Sequence, residues 1–277
     1  MWALERRARV DESFCMRRLF ALAVALLLSA SPAFARTYQE VPALAHLFKA
    51  QGVVGTFVLF DPVSDTMFVA NEARAKERFT PASTFKIANS LIGLDAGVVQ
   101  NVDEILPYGG QPQRIKAWEH DMGLRDAIKI SNVPIYQELA RRTGLERMRA
   151  GVRKLGYGNM EIGHVVDHFW LDGPLAISAV EQTEFLSRLV AEKLPVSEAA
   201  MRAVREITLL EKTDTYELHG KTGWFVGKDF ELGWWVGWVE RDGKFYPFAL
   251  NIDMPGEADN TKRIPLGRDC LKALGKL

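Results

Sequence analysis

The sequence predicts an α/β fold of the α+β type: a five-stranded antiparallel sheet covered by terminal helices, with a largely helical second lobe inserted between the strands. Three observations carry this expectation. Runs rich in β-branched and aromatic residues lie toward both ends of the chain. In each group two runs are joined by a turn too short for anything but antiparallel pairing. Between the groups, apolar residues recur at helical spacing.

In chain order, a helix is expected at 41–51, followed by strands at 53–60 (VVGTFVLF) and 66–70 (TMFVA). The residues between those strands, Asp61-Pro62-Val63-Ser64-Asp65, have turn chemistry and make the pair a hairpin. Helical periodicity then fills 83–96, 124–130, 133–142, 145–155, 180–192 and 199–210. A strand at 216–223 leads into a second hairpin, 232–239 (LGWWVGWV) and 245–252 (FYPFALNI), around the strong turn dipeptide Asp242-Gly243. A last helix at 264–274 joins 41–51 in covering one face of the sheet, and the helical middle covers the other. No repeat or Gly/Ser linker interrupts 36–277, which is expected to be a single domain with a sheet lobe (36–75 and 215–277) and a helical lobe (76–214).

Composition narrows the function. With 48% hydrophobic and 25% charged residues, the chain is neither disordered nor a multi-span membrane protein. Lys+Arg and Asp+Glu both number 35, so no basic field exists to hold nucleic acid. Cys15 and Cys270 cannot make a disulfide framework, a four-cysteine zinc site or an iron–sulfur cluster. Cys270, on the last helix, is expected to be buried as a small hydrophobe. Met16-Arg17-Arg18, the apolar run 19–30 and the small-residue pattern Ala33-Phe34-Ala35 make up a secretory signal peptide cleaved after Ala35, with Met16 an alternative start. The run is short of the roughly 18 residues that span a membrane. The expected mature protein is therefore soluble, periplasmic and free of the membrane.

The chemistry-bearing residues begin with Pro81-Ala82-Ser83-Thr84-Phe85-Lys86, which sets a hydroxyl at a helix start and an amine three residues later on the same face. Lys86 can take the Ser83 proton, and the helix end favours the negative oxygen that develops when serine attacks a carbonyl. Taken alone, the motif describes an N-capping serine with a solvated lysine equally well. It has company: Ser131-Asn132-Val133 follows, and Lys221-Thr222-Gly223-Trp224 lies on the strand before the second hairpin. Tyr157-Gly158-Asn159 and Phe169-Trp170-Leu171 complete the set.

In order and spacing this set resembles the class D serine β-lactamases, the oxacillinases, over nearly the whole of 36–277. The resemblance implies a β-lactam as small-molecule substrate, Ser83 as acylated nucleophile, and Lys86 as general base, N-carboxylated by CO₂ with no other cofactor. It implies that Ser131 relays a proton to the leaving nitrogen, and that the backbone N–H groups of Ser83 and Trp224 form an oxyanion hole. Lys221 and Thr222 face the substrate carboxylate, Gly223 lets substrate lie against the strand, and Arg263 supplies a planar fork to that carboxylate. Val133, Trp170 and Leu171 would wall the Lys86 pocket, with the Trp170 indole N–H donating to the carbamate. Tyr157-Gly158-Asn159 reads as structural.

Two features invite other readings. His164 and His168 share the spacing of a zinc helix but lack its glutamate and a third ligand, so no metal is expected. Trp234, Trp235 and Trp238 read as packing on both faces of a central strand. Rival functions for the same motifs are a penicillin-binding peptidase or transpeptidase acting on peptidoglycan, and a non-hydrolysing β-lactam sensor, which would need membrane spans. The apolar residues around Lys86 favour the hydrolase. The preferred β-lactam depends on the loops at 106–120 and 224–231, and the oligomeric state is left open.

Overall fold

The computed structural model describes residues 36–277. The leader expected at 1–35 and the alternative start at Met16 lie outside the described residues. The sheet has seven strands, not five. They are β1 (Thr37–Glu40), β2 (Gly55–Asp61), β3 (Thr66–Ala70), β4 (Leu209–Lys212), β5 (Glu217–Val226), β6 (Glu231–Arg241) and β7 (Lys244–Asp253), in the order β1-β3-β2-β7-β6-β5-β4. Nor is the sheet wholly antiparallel, because β1 runs parallel to β3. Both unexpected strands are edges four residues long and mostly exposed, so neither alternates strongly enough to announce itself.

Nine helices are present among the described residues: α1 (Pro42–Ala50), α2 (Glu72–Ala75), α3 (Lys86–Asp95), α4 (Leu124–Lys129), α5 (Val133–Thr143), α6 (Leu145–Leu155), α7 (Ala179–Val190), α8 (Glu198–Ile207) and α9 (Arg263–Ala273). The expected helix at 199–210 stops at Ile207, where the Thr208 hydroxyl turns back to the carbonyls of Val204 and Arg205. Leu209 and Leu210 pass instead into β4. At 83–96, Ala82–Phe85 form a 3₁₀ turn and the α-helix starts only at Lys86, and the short α2 was not expected at all.

The two hairpins form as the turn residues require. Asp61 Oδ1 accepts from the Val63 N–H at 2.8 Å, and Asp242 and Gly243 both take positive φ, 53° and 68°, which matches the twist of β6 and β7. Period-two alternation along β6 sends Trp234, Val236 and Trp238 into the core on one face and Trp235 and Val239 into the core on the other. The three tryptophans thus pack both faces of a central strand. On the Trp235 face, Leu44 and Phe48 of α1 and Leu266, Cys270 and Leu271 of α9 cover Phe57, Phe248 and Leu250. Cys270 is fully buried there, and burial pushes its thiol up to about 12. On the opposite face, α7 contributes Phe185, Leu186 and Leu189 to a core shared with Phe85, Tyr157 and Trp170. Each such side chain taken from water adds about 1.5–3 kcal/mol. This layer of helices holds the 3₁₀ turn of Ser83 against the sheet.

Candidate active site

The turn that carries Ser83 is built under strain and then pinned. Ala82, immediately before it, has φ of 48°, a left-handed conformation that L-residues other than Asn and Asp seldom adopt. Pro81 holds the turn through its carbonyl, which accepts from the Thr84 N–H at 3.2 Å and from the Thr84 hydroxyl at 2.7 Å. Behind it, Gln182 of α7 donates to Thr84 Oγ1 at 2.8 Å, and Tyr157 donates to Gln182 Oε1 at 3.3 Å. Tyr157 therefore supports the turn from the core, as befits a structural residue. On the sheet side, β5 comes so close that a Cβ on Gly223 would lie 2.9 Å from the Pro81 carbonyl oxygen. The immediate neighbour that demands glycine at 223 is the turn itself.

The short α3 starts directly from this turn, so Lys86 points back beneath Ser83: its Nζ lies 2.8 Å from Ser83 Oγ. Lys86 is completely buried, whereas a helix-surface lysine would be solvated. Its Nζ lies 5.3 Å from the centre of the Tyr136 ring, and Phe85, next to it in the chain, stacks on Trp170 with ring centres 5.5 Å apart. Burial, then the charge of Lys221, holds the Lys86 amine well below the usual lysine range. The shift disfavours the ammonium and so favours the form that can accept the Ser83 proton. The Trp170 indole N–H is buried and has no acceptor. A buried donor left without an acceptor fits a Lys86 bearing an anionic carboxyl group, which would need such donors to be stable in an apolar pocket.

Ser131 is in the turn between α4 and α5, at φ of 57°. Asn132 caps α5 by accepting from the Ile135 N–H, and the same side chain donates to the Trp118 carbonyl. This places Ser131 Oγ 3.0 Å from Lys221 Nζ on β5. Burial, reinforced by Arg263, brings the Lys221 amine down to about 7, so it exchanges its proton near neutrality.

Arg263 is the first residue of α9, reached through the 3₁₀ turn Glu257–Lys262. Its stem runs over Gly233, where a Cβ would come within 2.5 Å of Arg263 Cδ. Nη1 donates to the Gly223 carbonyl at 2.6 Å, and Nε and Nη2 hold the carbonyl and side-chain oxygens of Asn260. Burial lowers the guanidinium to about 10, which leaves it charged throughout the physiological range.

One cleft of about 300 Å³ gathers Ser83, Ser131, Val133, Leu171, Thr222, Gly223, Trp224 and Arg263, all singled out in the sequence. Lys86 and Lys221 meet the cleft through Ser83 and Ser131, and Trp170 is fully buried and does not line it. The same cleft is lined by Arg114, Ile115, Trp118 and Asn260, which no motif marked. Trp118 carried the only available signal, a lone tryptophan in a polar loop. The His168 ring bonds to Asp167 and Gln137 and does not line the cleft, although the His168 carbonyl accepts from the Leu171 N–H at 2.7 Å.

A serine against a buried amine, a second serine–lysine pair and a buried arginine can together carry out acyl transfer on a carboxylate-bearing substrate. Comparisons with known proteins agree with that chemistry. Residues 55–272 match the penicillin binding protein transpeptidase domain. Over 252 residues, 90% of this chain and 93% of the relative, the chain is 40% identical to β-lactamase OXA-10 of Pseudomonas aeruginosa. It is 41% identical to β-lactamase OXA-48 of Klebsiella pneumoniae over 261 residues, 92% and 97% of the two chains. The crystal structure of FUS-1 (OXA-85), a class D β-lactamase from Fusobacterium nucleatum subsp. polymorphum, superposes with a TM-score of 0.84 at 44% identity, covering 86% of this chain and all of that one. The chain belongs to the class D serine β-lactamases.

Proposed function

We propose that this protein hydrolyses the β-lactam amide of penicillin-type antibiotics through an acyl-enzyme on Ser83, and so confers resistance to them. The observation that carries the reading is the 2.8 Å approach of a completely buried Lys86 amine to Ser83 Oγ. Lys86 takes the hydroxyl proton as Ser83 attacks the lactam carbonyl, and the N–H groups of Ser83 and Trp224 receive the developing oxyanion. The ring C–N bond then breaks, and Ser131, backed by Lys221, passes a proton to the leaving nitrogen. Lys221, Thr222 and Arg263 hold the ring carboxylate. A carboxyl group taken up from CO₂ on Lys86 would supply the base both for the Ser83 proton and for the water that cleaves the acyl ester. The orphaned Trp170 N–H and the apolar walls of Val133 and Leu171 support that modification.

The expected site of action is the periplasm, and the signal-peptide pattern of 16–35 supports it. Incubation with a chromogenic cephalosporin followed by intact mass tests the function. The expected result is rapid colour change with no lasting adduct; a persistent acyl-enzyme without turnover would assign the protein to the peptidase or sensor class. Arg263→Ala should lower kcat/KM by about 10- to 100-fold, chiefly through KM, because it deletes a charge-assisted contact. Unchanged kinetics for every penicillin would remove Arg263 from the site.

A further inference from the structure

The ring carboxylate common to penicillins accounts for one of the two arginines that line the cleft. Arg263 is buried and fixed by Gly223 and Asn260. The other, Arg114, is exposed in the loop before α4, and no carboxylate pairs with it among the described residues. The carboxylate of Glu119 in that loop is already engaged by Lys116. No acidic residue lines the cleft.

Arg114 is nevertheless held in place. Its guanidinium carbon lies 5.6 Å from the centre of the Trp224 ring. That ring is a fixed platform, because Trp224 Nε1 donates to Glu231 Oε2 at 2.7 Å. Stacking on an aromatic face uses the flat side of a guanidinium and leaves its edge N–H groups free for a planar anion. Around it the mouth is apolar: Ile115, Ile130 and Val226 are 42%, 40% and 52% exposed. Such a rim accepts an aryl or alkyl group and offers one cation beside it.

We propose that Arg114 is a specificity-determining residue that selects β-lactams whose acyl side chain carries a second negative charge, by pairing with that charge at the mouth of the cleft from its seat on Trp224. The proposal rests on the hydrolytic reading above. It concerns the acyl side chain only; the ring carboxylate belongs to Arg263 and Lys221.

The test compares benzylpenicillin with its α-carboxy derivative, two substrates with the same aryl group and ring system that differ by one carboxylate. Steady-state kinetics are measured for the wild type, Arg114→Ala and Arg114→Lys. Arg114→Ala should lower kcat/KM for the α-carboxy substrate about fivefold more than for benzylpenicillin, with the difference in KM. Arg114→Lys should restore part of it, since the charge returns without the fork. In the wild type, the preference should shrink as ionic strength rises from about 0.05 to about 0.5 M. Equal losses for both substrates, or a preference insensitive to salt, would overturn the proposal by reducing Arg114 to a support for Trp224. Absence of turnover of either substrate by the wild type would overturn the hydrolytic reading first, and that outcome is recognisable without any variant.

Discussion

Ser83→Ala should abolish both β-lactam turnover and covalent labelling, with a loss on the order of 10⁵-fold or more. The magnitude follows from what is removed. In the proposed mechanism Ser83 Oγ is the atom that forms the acyl bond, and it lies 2.8 Å from Lys86 Nζ. The hydroxyl of Ser131, which is paired with Lys221, stands on a different turn and cannot take its place. The fold should be little affected, because the turn is pinned by Thr84, Gln182 and Gly223 and not by the Ser83 side chain. A chromogenic cephalosporin and intact mass give the readout. Labelling of the variant at the normal rate would end the assignment of Ser83 as nucleophile.

Lys86→Met should cost activity about as heavily, by on the order of 10⁴-fold or more, and yet make the protein more stable. The two effects have one cause. Lys86 is fully buried, and burial holds its amine well below the ordinary lysine value of about 10.4. At neutral pH folding must strip a proton that the unfolded chain keeps, or else bury an ammonium. A methionine of similar length avoids that cost, which predicts a gain of about 1–3 kcal/mol and roughly 3–10 °C in Tm.

The pH dependence has a definite sign. Because the folded value lies below the unfolded one, the unfolded state binds more protons between the two, and wild-type stability rises with pH across that window. In CO₂-free buffer the advantage of Lys86→Met is therefore greatest at low pH and narrows as pH approaches about 10.4, where the unfolded lysine also loses its proton. Thermal unfolding of both proteins from mildly acidic to alkaline pH checks this. A variant less stable than the wild type at every pH would show that the amine is not a burden to the fold.

How much of this was legible in the sequence depended on how local each feature is. The hairpins were readable because Asp61 and Asp242-Gly243 determine their turns by their own side-chain and backbone chemistry. The alternating burial of Trp234, Trp235 and Trp238 follows from period two alone. β1 and β4 were not readable, since a short exposed edge strand is held by its neighbour's register and not by its own pattern. Leu209 and Leu210 continued an apolar periodicity that Thr208 interrupts. The motif residues were legible because Ser83 and Lys86 share one turn of chain and Lys221, Thr222 and Gly223 one strand. Arg114 and Asn260 were not, because each enters the cleft through contacts with residues distant in sequence or from an irregular segment: Arg114 on Trp224, Asn260 beneath Arg263. Tyr136, which forms part of the Lys86 pocket, sits one helical turn after Val133, and that spacing was the available signal.

The account turns on Lys86 serving as the base in its carboxylated form. Equilibrating the enzyme with ¹³C-labelled bicarbonate at successive pH values, and recording the carbamate resonance alongside penicillin turnover, addresses it directly. The expected result is a carbamate signal absent from Lys86→Met, lost together with activity on acidification or removal of CO₂, and restored with it when bicarbonate returns. Full turnover in CO₂-free buffer, with no labelled carbon on Lys86, would contradict the carboxylated base while leaving acylation at Ser83 to stand on its own test.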